Sequence, residues 1–237
     1  MKKTSIALTA FAILATCLAS AYAIPTGKSN ESGHYISGTG ISHMLNAGIY
    51  GGSIEREVEY NNAVRTLESK QTVVYLGLEV TPWATVFVGG GLADHQVGML
   101  ESDTSSKLEA GILLNLVDHV ILDPTLFEDK LRINAGASWA YTEAEWLAQD
   151  VRWQEATAFL TVSIVNDTIG NKFFNPNSVA IYMGPMFNYI QSGEIELREE
   201  FGFLAGIELF LTESISLDIG MRHLDTTGFE GGINIDF

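Results

Sequence analysis

The segment 229–237 alternates between two kinds of side chain. One face of an extended strand over these residues carries apolar side chains and glycine, and the other carries acidic, amide and glycine positions. The apolar face runs through Ile233 and Ile235 to Phe237. A strand of this kind suits a sheet that has an apolar medium on one side and water or a polar interior on the other. The pattern therefore predicts a two-faced β-strand in this segment.

The same two-residue period recurs along most of the chain. Segments of about ten residues with alternating hydrophobicity, separated by turn residues, are typical of transmembrane β-barrels. The apolar sides of the clearest segments lie within 74–80, 86–92, 108–116, 131–141, 201–211 and 215–221. Two weaker segments, 151–165 and 179–189, are rich enough in β-branched and aromatic residues to be strands. A first strand is expected within 47–59, with its register left open.

These segments predict an all-β fold, a transmembrane antiparallel up-and-down β-barrel of ten strands, with eight or twelve as the alternatives. Counting back from Phe237 places short breaks at 81–83 and 212–214 on the periplasmic side and the link 61–69 on the outer side. Trp83, Trp139, Trp146, Trp153, Tyr141 and Tyr189 fall near strand ends, which predicts that they form interfacial girdles. A soluble β-sandwich is the alternative fold, because its strands also alternate.

The N-terminus has the pattern of a secretory signal peptide. Lys2 and Lys3 precede an uncharged apolar stretch over 6–18, and Ala21-Tyr22-Ala23 is a small-residue cleavage pattern. We expect a signal peptide at 1–23, a polar segment at 24–44 and the barrel at 45–237. A second interpretation takes Leu14-Ala15-Thr16-Cys17 as a lipoprotein signal with Cys17 acylated.

Charge and cysteine content exclude several functions for the exported chain. Cleavage after Ala23 removes Cys17, the one cysteine, so neither disulfides nor thiolate chemistry are expected. Removal of Lys2 and Lys3 changes the formal net charge from −16 to −18. Nucleic-acid binding relies on Lys and Arg and is not expected. The acidic excess is compatible with cations bound at the loops, and no cofactor is expected.

Phe237 with Ile233 and Ile235 at alternate positions resembles the C-terminal signal of bacterial outer-membrane proteins. The resemblance implies that the barrel assembly machinery recognises these residues and that the lipid bilayer of the outer membrane is the second partner. Size and strand count are similar to the small barrels of the OmpA and OmpX kind. The oligomeric state is left open.

Charges of both signs are predicted on the inward face. Because buried charges are costly unless paired, a narrow lumen should join them into ion-paired networks that fill it. A narrow cation-preferring, porin-like pore is the alternative. The predicted lumen charges are Glu79, Lys107, Glu109, Arg132, Glu200, Glu208, Asp218, Arg222, Glu230 and Asp236.

Two histidine and aspartate pairs resemble, in outline, the catalytic pairs of the omptin proteases, which are ten-stranded outer-membrane enzymes. His223 and Asp225 share one strand face, and Asp94 and His95 lie at the outer end of another strand. The chain departs from that family in being shorter, in lacking long protruding strands, and in turning Asp94 and His95 to opposite faces. We therefore expect no enzymatic activity and a structural or surface-interaction role, with the narrow pore as the second hypothesis and an omptin-like hydrolase as the third.

Overall fold

The computed structural model describes residues 45–81, 83–122, 128–146, 149–166, 178–212 and 214–237. The predicted segments 1–23 and 24–44 lie outside the described residues. Within the described residues, no helix is long and apolar enough to cross a bilayer. The strands are β1 Leu45–Tyr60, β2 Ala63–Thr81, β3 Ala84–Val97, β4 Leu100–Glu101, β5 Ser105–Leu122, β6 Glu128–Trp146, β7 Gln149–Asn166, β8 Ser178–Gln191, β9 Ile195–Leu197, β10 Phe201–Phe210, β11 Ile215–His223 and β12 Thr227–Asp236.

Ten of these strands form a closed antiparallel barrel. Each long strand pairs with the next long strand along the chain, and β12 pairs with β1 from Asn46↔Asp236 to Ser53↔Phe229, which closes the wall. The predicted all-β, ten-stranded up-and-down barrel is confirmed. Two short strands were not predicted: β4 adds to the end of β3, and β9 pairs with the end of β1.

Strand register determines the width of the barrel. The row of paired residues that starts at Ile49 on β1 reaches β8 at Gln191 in one direction and at Val179 in the other, an offset of twelve residues. With standard strand spacing, this offset over ten strands corresponds to a tilt of about 40° and a backbone radius of about 10 Å. Side chains from opposite walls can therefore meet across the lumen.

The barrel has two different ends. We call the end that carries Leu45 and Phe237 the terminal end; the backbone N–H of Phe237 donates to the Leu45 carbonyl, at 3.0 Å. The breaks after β2 and β10 lie at this end, as expected. At the other, distal end, β1 and β2 are joined by Asn61 and Asn62, both at positive φ, as a two-residue hairpin turn requires. The predicted link 61–69 was too long, because β2 begins at Ala63.

The outward face changes character along the strands. Near the terminal end it is apolar: on β7, Leu160, Val162 and Ile164 point outward and are exposed. Towards the distal end of the same strand, Arg152 and Gln154 point outward instead. The same change occurs on two other strands. Apolar outward positions give way to Glu68 and Lys70 on β2 and to Glu143 and Glu145 on β6. The barrel therefore has an apolar belt around its terminal half and a polar outer surface around its distal half.

The distal half also corrects two sequence-based expectations. Trp83, Trp139 and Tyr189 are exposed on the outside, but Trp146 and Trp153 are buried inside the lumen, each only 1% exposed. Their assignment to an outer girdle was wrong, because apolar residues point inward in this half. The expectation that long protruding strands are lacking was also wrong, since β2 and β6 have 19 residues each.

Inward glycines provide space for inward aromatic rings. A Cβ on Gly136 would lie 2.2 Å from the Phe159 ring, and one on Gly206 would lie 2.3 Å from the Tyr182 hydroxyl. Each ring therefore lies over a neighbouring strand at a position that only glycine leaves open. Inward glycines therefore make room for larger neighbours at these positions.

Candidate functional site

The lumen is the candidate site, and its central feature is an ion pair that crosses it. Arg56 on β1 holds Glu155 on β7 through both terminal nitrogens, with Nη1–Oε1 at 2.8 Å and Nη2–Oε2 at 3.0 Å. In the order of strands around the ten-stranded wall, β7 lies five places from β1, on the opposite side. Both side chains are buried, so the two charges are removed from solvent together.

Asn188 on β8 completes this cross-lumen contact. Its Oδ1 accepts from Arg56 Nη1 at 3.1 Å, and its Nδ2 donates to Glu155 Oε1 at 2.7 Å and to the Thr157 hydroxyl at 2.9 Å. Asn188 is itself only 1% exposed. Further hydrogen bonds of this kind are what a buried ion pair needs to offset its loss of hydration.

A second group of charges lies beside this pair. Lys107 Nζ on β5 donates to Gln71 Oε1 on β2 at 2.6 Å and lies 3.7 Å from a carboxylate oxygen of Glu109. Glu109 also accepts from the Tyr50 hydroxyl on β1. These contacts join β5 to β1 and β2 through the interior.

An Arg–Glu pair between neighbouring strands extends the charged zone. Arg222 on β11 pairs with Glu230 on β12, and both are buried. We call the zone formed by these groups the polar layer; its members are Arg56, Gln71, Lys107, Glu109, Glu155, Asn188, Arg222 and Glu230.

Towards the terminal end, aromatic and acidic residues fill the lumen. Tyr182 donates its hydroxyl proton to Asp218 at 2.8 Å, and Tyr75 donates to Asn234. Glu208 and Asp218 lie directly opposite each other on β10 and β11, and Glu208 accepts from the Ser216 hydroxyl at 2.8 Å. These contacts hold aromatic, acidic and amide side chains together in the terminal half of the lumen.

Arg132 shows how a strand irregularity brings a further charge inside. Its Nε lies 3.3 Å from the Asp118 carboxylate. Simple alternation from Glu109 would turn Asp118 outward. The register of β5 shifts between Asn115 and Val117, and this shift turns Asp118 towards Arg132.

Apolar side chains form a buried cluster at the distal mouth, which we call the apolar cap. Trp146 and Trp153 stack with ring centroids 6.0 Å apart and an interplanar angle of 3°, and Trp153 meets the His95 ring edge-on at 4.7 Å. Trp146 also donates from Nε1 to the His95 carbonyl at 3.3 Å, and its ring packs against Tyr60 at 5.8 Å. The cap consists of Val58, Tyr60, Leu67, Val97, Ala144, Trp146, Val151, Trp153, Ile190 and Ile195.

The predicted lumen charges differ in where they lie. Those that the structure buries in the lumen are Lys107, Glu109, Arg132, Glu208, Asp218, Arg222 and Glu230. Glu79 and Asp236 are half-buried near the terminal ends of β2 and β12, and Glu200 is half-buried just before β10. Sequence reasoning missed Arg56 and Glu155. The signal that could have found them is the reversal of polarity in the distal half, where acidic residues alternate outward with inward apolar positions.

The two histidine and aspartate pairs do not form a shared site. The His223 Nδ1 atom lies 2.9 Å from the Thr227 hydroxyl, and its ring packs on Phe203, whereas the Asp225 carboxylate accepts from the backbone N–H of Glu57. His95 is buried against Ser69, and Asp94 is exposed. Among the described residues, no group of three or more His, Cys, Asp or Glu side chains is arranged to hold a metal ion.

Comparisons with known proteins do not assign this chain to a family. No protein-family model matches the sequence. The search of curated proteins also found no match. One solved structure, an outer-membrane channel of Pseudomonas putida F1, is 10% identical and aligns with a TM-score of 0.42 over 88% of this chain and 100% of its own. A likeness of this degree carries no argument about this chain, and the resemblance to OmpA and OmpX stays a prediction.

Proposed function

We propose that this protein is an integral outer-membrane β-barrel whose lumen is closed by its own side chains. Its role is structural or surface-interacting, and it has no enzymatic activity. The observation that carries the proposal is the opposite arrangement of polarity in the two halves of the barrel. In the terminal half the outside is apolar, whereas in the distal half the outside is polar and apolar side chains pack inside the mouth, beyond the polar layer.

The apolar belt supports the membrane part of the proposal. Leu76, Val88 and Ile219 lie in the terminal half and are each more than 60% exposed to the outside. Exposure of a continuous apolar surface is unfavourable in water and favourable in the hydrocarbon core of a bilayer. The polar outer surface of the distal half then projects beyond the lipid.

The C-terminal residues support insertion by the assembly machinery. Ile235 and Phe237 point outward from β12 and are exposed, and Ile233 lies on the same face. We expect this stripe to be accessible to the barrel assembly machinery before the barrel closes against β1. The acidic distal loops are compatible with cation binding, although the described residues hold no preformed metal cluster.

The closed lumen is supported by two independent barriers. The Arg56–Glu155 pair crosses the polar layer, and the apolar cap closes the distal mouth. A porin-like pore would need both barriers to move, and moving the first would separate two buried charges. A hydrolase of the omptin kind is not favoured, because His223 and Asp225 bind different partners.

Membrane insertion is tested by extraction and by heat-modifiable migration. We expect the exported protein to fractionate with the outer membrane and to need detergent for extraction. Unheated samples should migrate differently from boiled samples on a denaturing gel, since a closed barrel resists the detergent until it is heated. Extraction by buffer alone, with one migration position, would instead favour the soluble β-sandwich.

A further inference from the structure

The two edges of β1 are bonded differently. On one edge, β1 pairs with β2 along its full length, from Leu45↔Leu78 to Tyr60↔Ala63. On the other edge, the ladder to β12 ends at Ser53↔Phe229. The residues 54–60 on this second edge extend beyond the barrel strand that closes the wall.

A short connection covers this exposed edge. We call residues 192–200, which join β8 to β10, the strap. Within the strap, β9 pairs with β1 over only three positions, Val58↔Leu197 to Tyr60↔Ile195. Ile195 is 2% exposed and inserts into the apolar cap. The strap therefore closes both the edge of β1 and one side of the distal mouth.

Between the two ladders, residues 54–57 of β1 have no strand partner on this edge. Here the backbone of Glu57 makes two contacts: its N–H donates to the Asp225 carboxylate, and its carbonyl accepts from the Arg198 N–H at 3.3 Å. Behind this part of the wall lies Arg56, which points into the polar layer. We call this part of the wall, between the two ladders of β1, the seam. Isolated contacts, and not a strand ladder, hold it together.

The charged side chains that link the strap to the outer face of β1 hold it weakly or repel it. Glu59 and Glu196 face each other directly on the outer surface, and both are exposed. Like charges at directly opposed positions destabilise strand pairing. The Arg198–Glu57 ion pair, at 2.6 Å, has side chains that are 53% and 40% exposed, and ion pairs in water contribute little.

We propose that the strap is a side gate, which opens between the distal half of β1 and the β11–β12 turn to give access to the polar layer from the side. It opens by release of the three-residue ladder and withdrawal of Ile195 from the cap. The remaining barrel stays closed, because β1 keeps its ladder to β12 from Asn46↔Asp236 to Ser53↔Phe229.

The test measures the labelling rate of a buried cysteine. Ile54 points inward beside the seam and is 6% exposed, so Ile54→Cys, in a Cys17→Ser background, reports access. The purified full chain, folded in detergent, is treated with a small polar methanethiosulfonate reagent. We expect Ile195→Asp to accelerate labelling by more than about tenfold, because it removes the apolar anchor of the strap.

Charge reversal at the strap gives a second arm that leaves the cap intact. Glu196→Lys replaces a repulsion with an attraction and should slow labelling of the Ile54→Cys reporter by about twofold to fivefold. The double variant Glu59→Lys/Glu196→Lys restores a like-charge pair and should return the rate towards that of the parent. Heat-modifiable migration confirms that each variant is folded.

The control reporter is Val165→Cys, which is also fully buried but lies towards the terminal end on β7. Its labelling rate should stay unchanged in every strap variant. The proposal is overturned when Ile54→Cys labels at the same rate with and without the strap substitutions. It is equally overturned when Val165→Cys accelerates in parallel, since general loosening would then explain the access.

Discussion

Replacing Glu155 by Gln tests whether the lumen is dry at the polar layer. The substitution keeps the size of the side chain but leaves Arg56 buried without its counter-ion. Removing one partner of a buried ion pair typically costs about 3–5 kcal/mol, because the remaining charge has lost both its hydration and its partner. We therefore expect the free energy of unfolding of Glu155→Gln to fall by about that amount.

The barrel supplies a matched control for this substitution. Glu57 and Arg198 form an ion pair of similar length on the outer surface, at 2.6 Å, where both side chains remain hydrated. Glu57→Gln should therefore cost no more than about 1 kcal/mol. The double variant Arg56→Met/Glu155→Gln removes both buried charges and should be at least about 2 kcal/mol more stable than Glu155→Gln alone.

The assay is equilibrium urea unfolding of the barrel in lipid vesicles, followed by tryptophan fluorescence. Trp146 and Trp153 report on the interior in this measurement because both lie in the apolar cap. Equal costs for Glu155→Gln and Glu57→Gln would refute the reasoning. They would mean that water reaches Arg56 and that the polar layer is part of a hydrated passage.

Three other substitutions test the remaining parts of the structure. Trp153→Ala should lower the free energy of unfolding by about 3–5 kcal/mol through loss of cap packing, while Trp83→Ala, on the exposed outside, should cost clearly less in the same urea assay. Leu76→Arg in the apolar belt should destabilise the vesicle-inserted barrel by about 2–4 kcal/mol, and Thr66→Arg, outward in the distal half, by less than about 1; equal effects would contradict the placement of the lipid. Gly184→Ala would bring a Cβ within 1.8 Å of the Leu160 carbonyl oxygen, so the yield of heat-modifiable folded barrel should drop sharply.

Most of the barrel could be predicted because the strands of the terminal half alternate regularly between apolar and polar side chains. Where the outside is apolar and the lumen is polar, alternation reports directly which residues face inward. This holds for Arg132, Glu208 and Asp218, which alternation places inward and which the structure buries in the lumen.

The distal half could not be predicted by the same logic, because its polarity is reversed. Trp153 is apolar and faces inward, whereas Gln154 beside it faces outward. A search for apolar outward positions therefore misplaces this strand end and overlooks Glu155. Its partner Arg56 lies on the first strand, whose register the alternation does not define. Contacts between distant strands, such as Arg56–Glu155, also depend on the register of the whole wall.

Other details depend on local irregularities that alternation does not contain. A register shift in β5 turns Asp118 inward, although its position in the sequence suggests the outside. The strap residues around Ile195 pair with a part of β1 that lies beyond its ladder to β12, so their strand depends on a distant partner. Neither the inward turn of Asp118 nor the strand around Ile195 follows from the hydrophobic alternation of its own segment.

Single-channel recording from the purified full-length barrel in a planar bilayer tests the closed lumen most directly. With the Arg56–Glu155 pair and the apolar cap in place, we predict a silent bilayer under conditions in which a known porin gives regular current steps. Discrete and reproducible steps from the native chain, absent from a mock purification, would contradict the account and identify the polar layer as the lining of a pore.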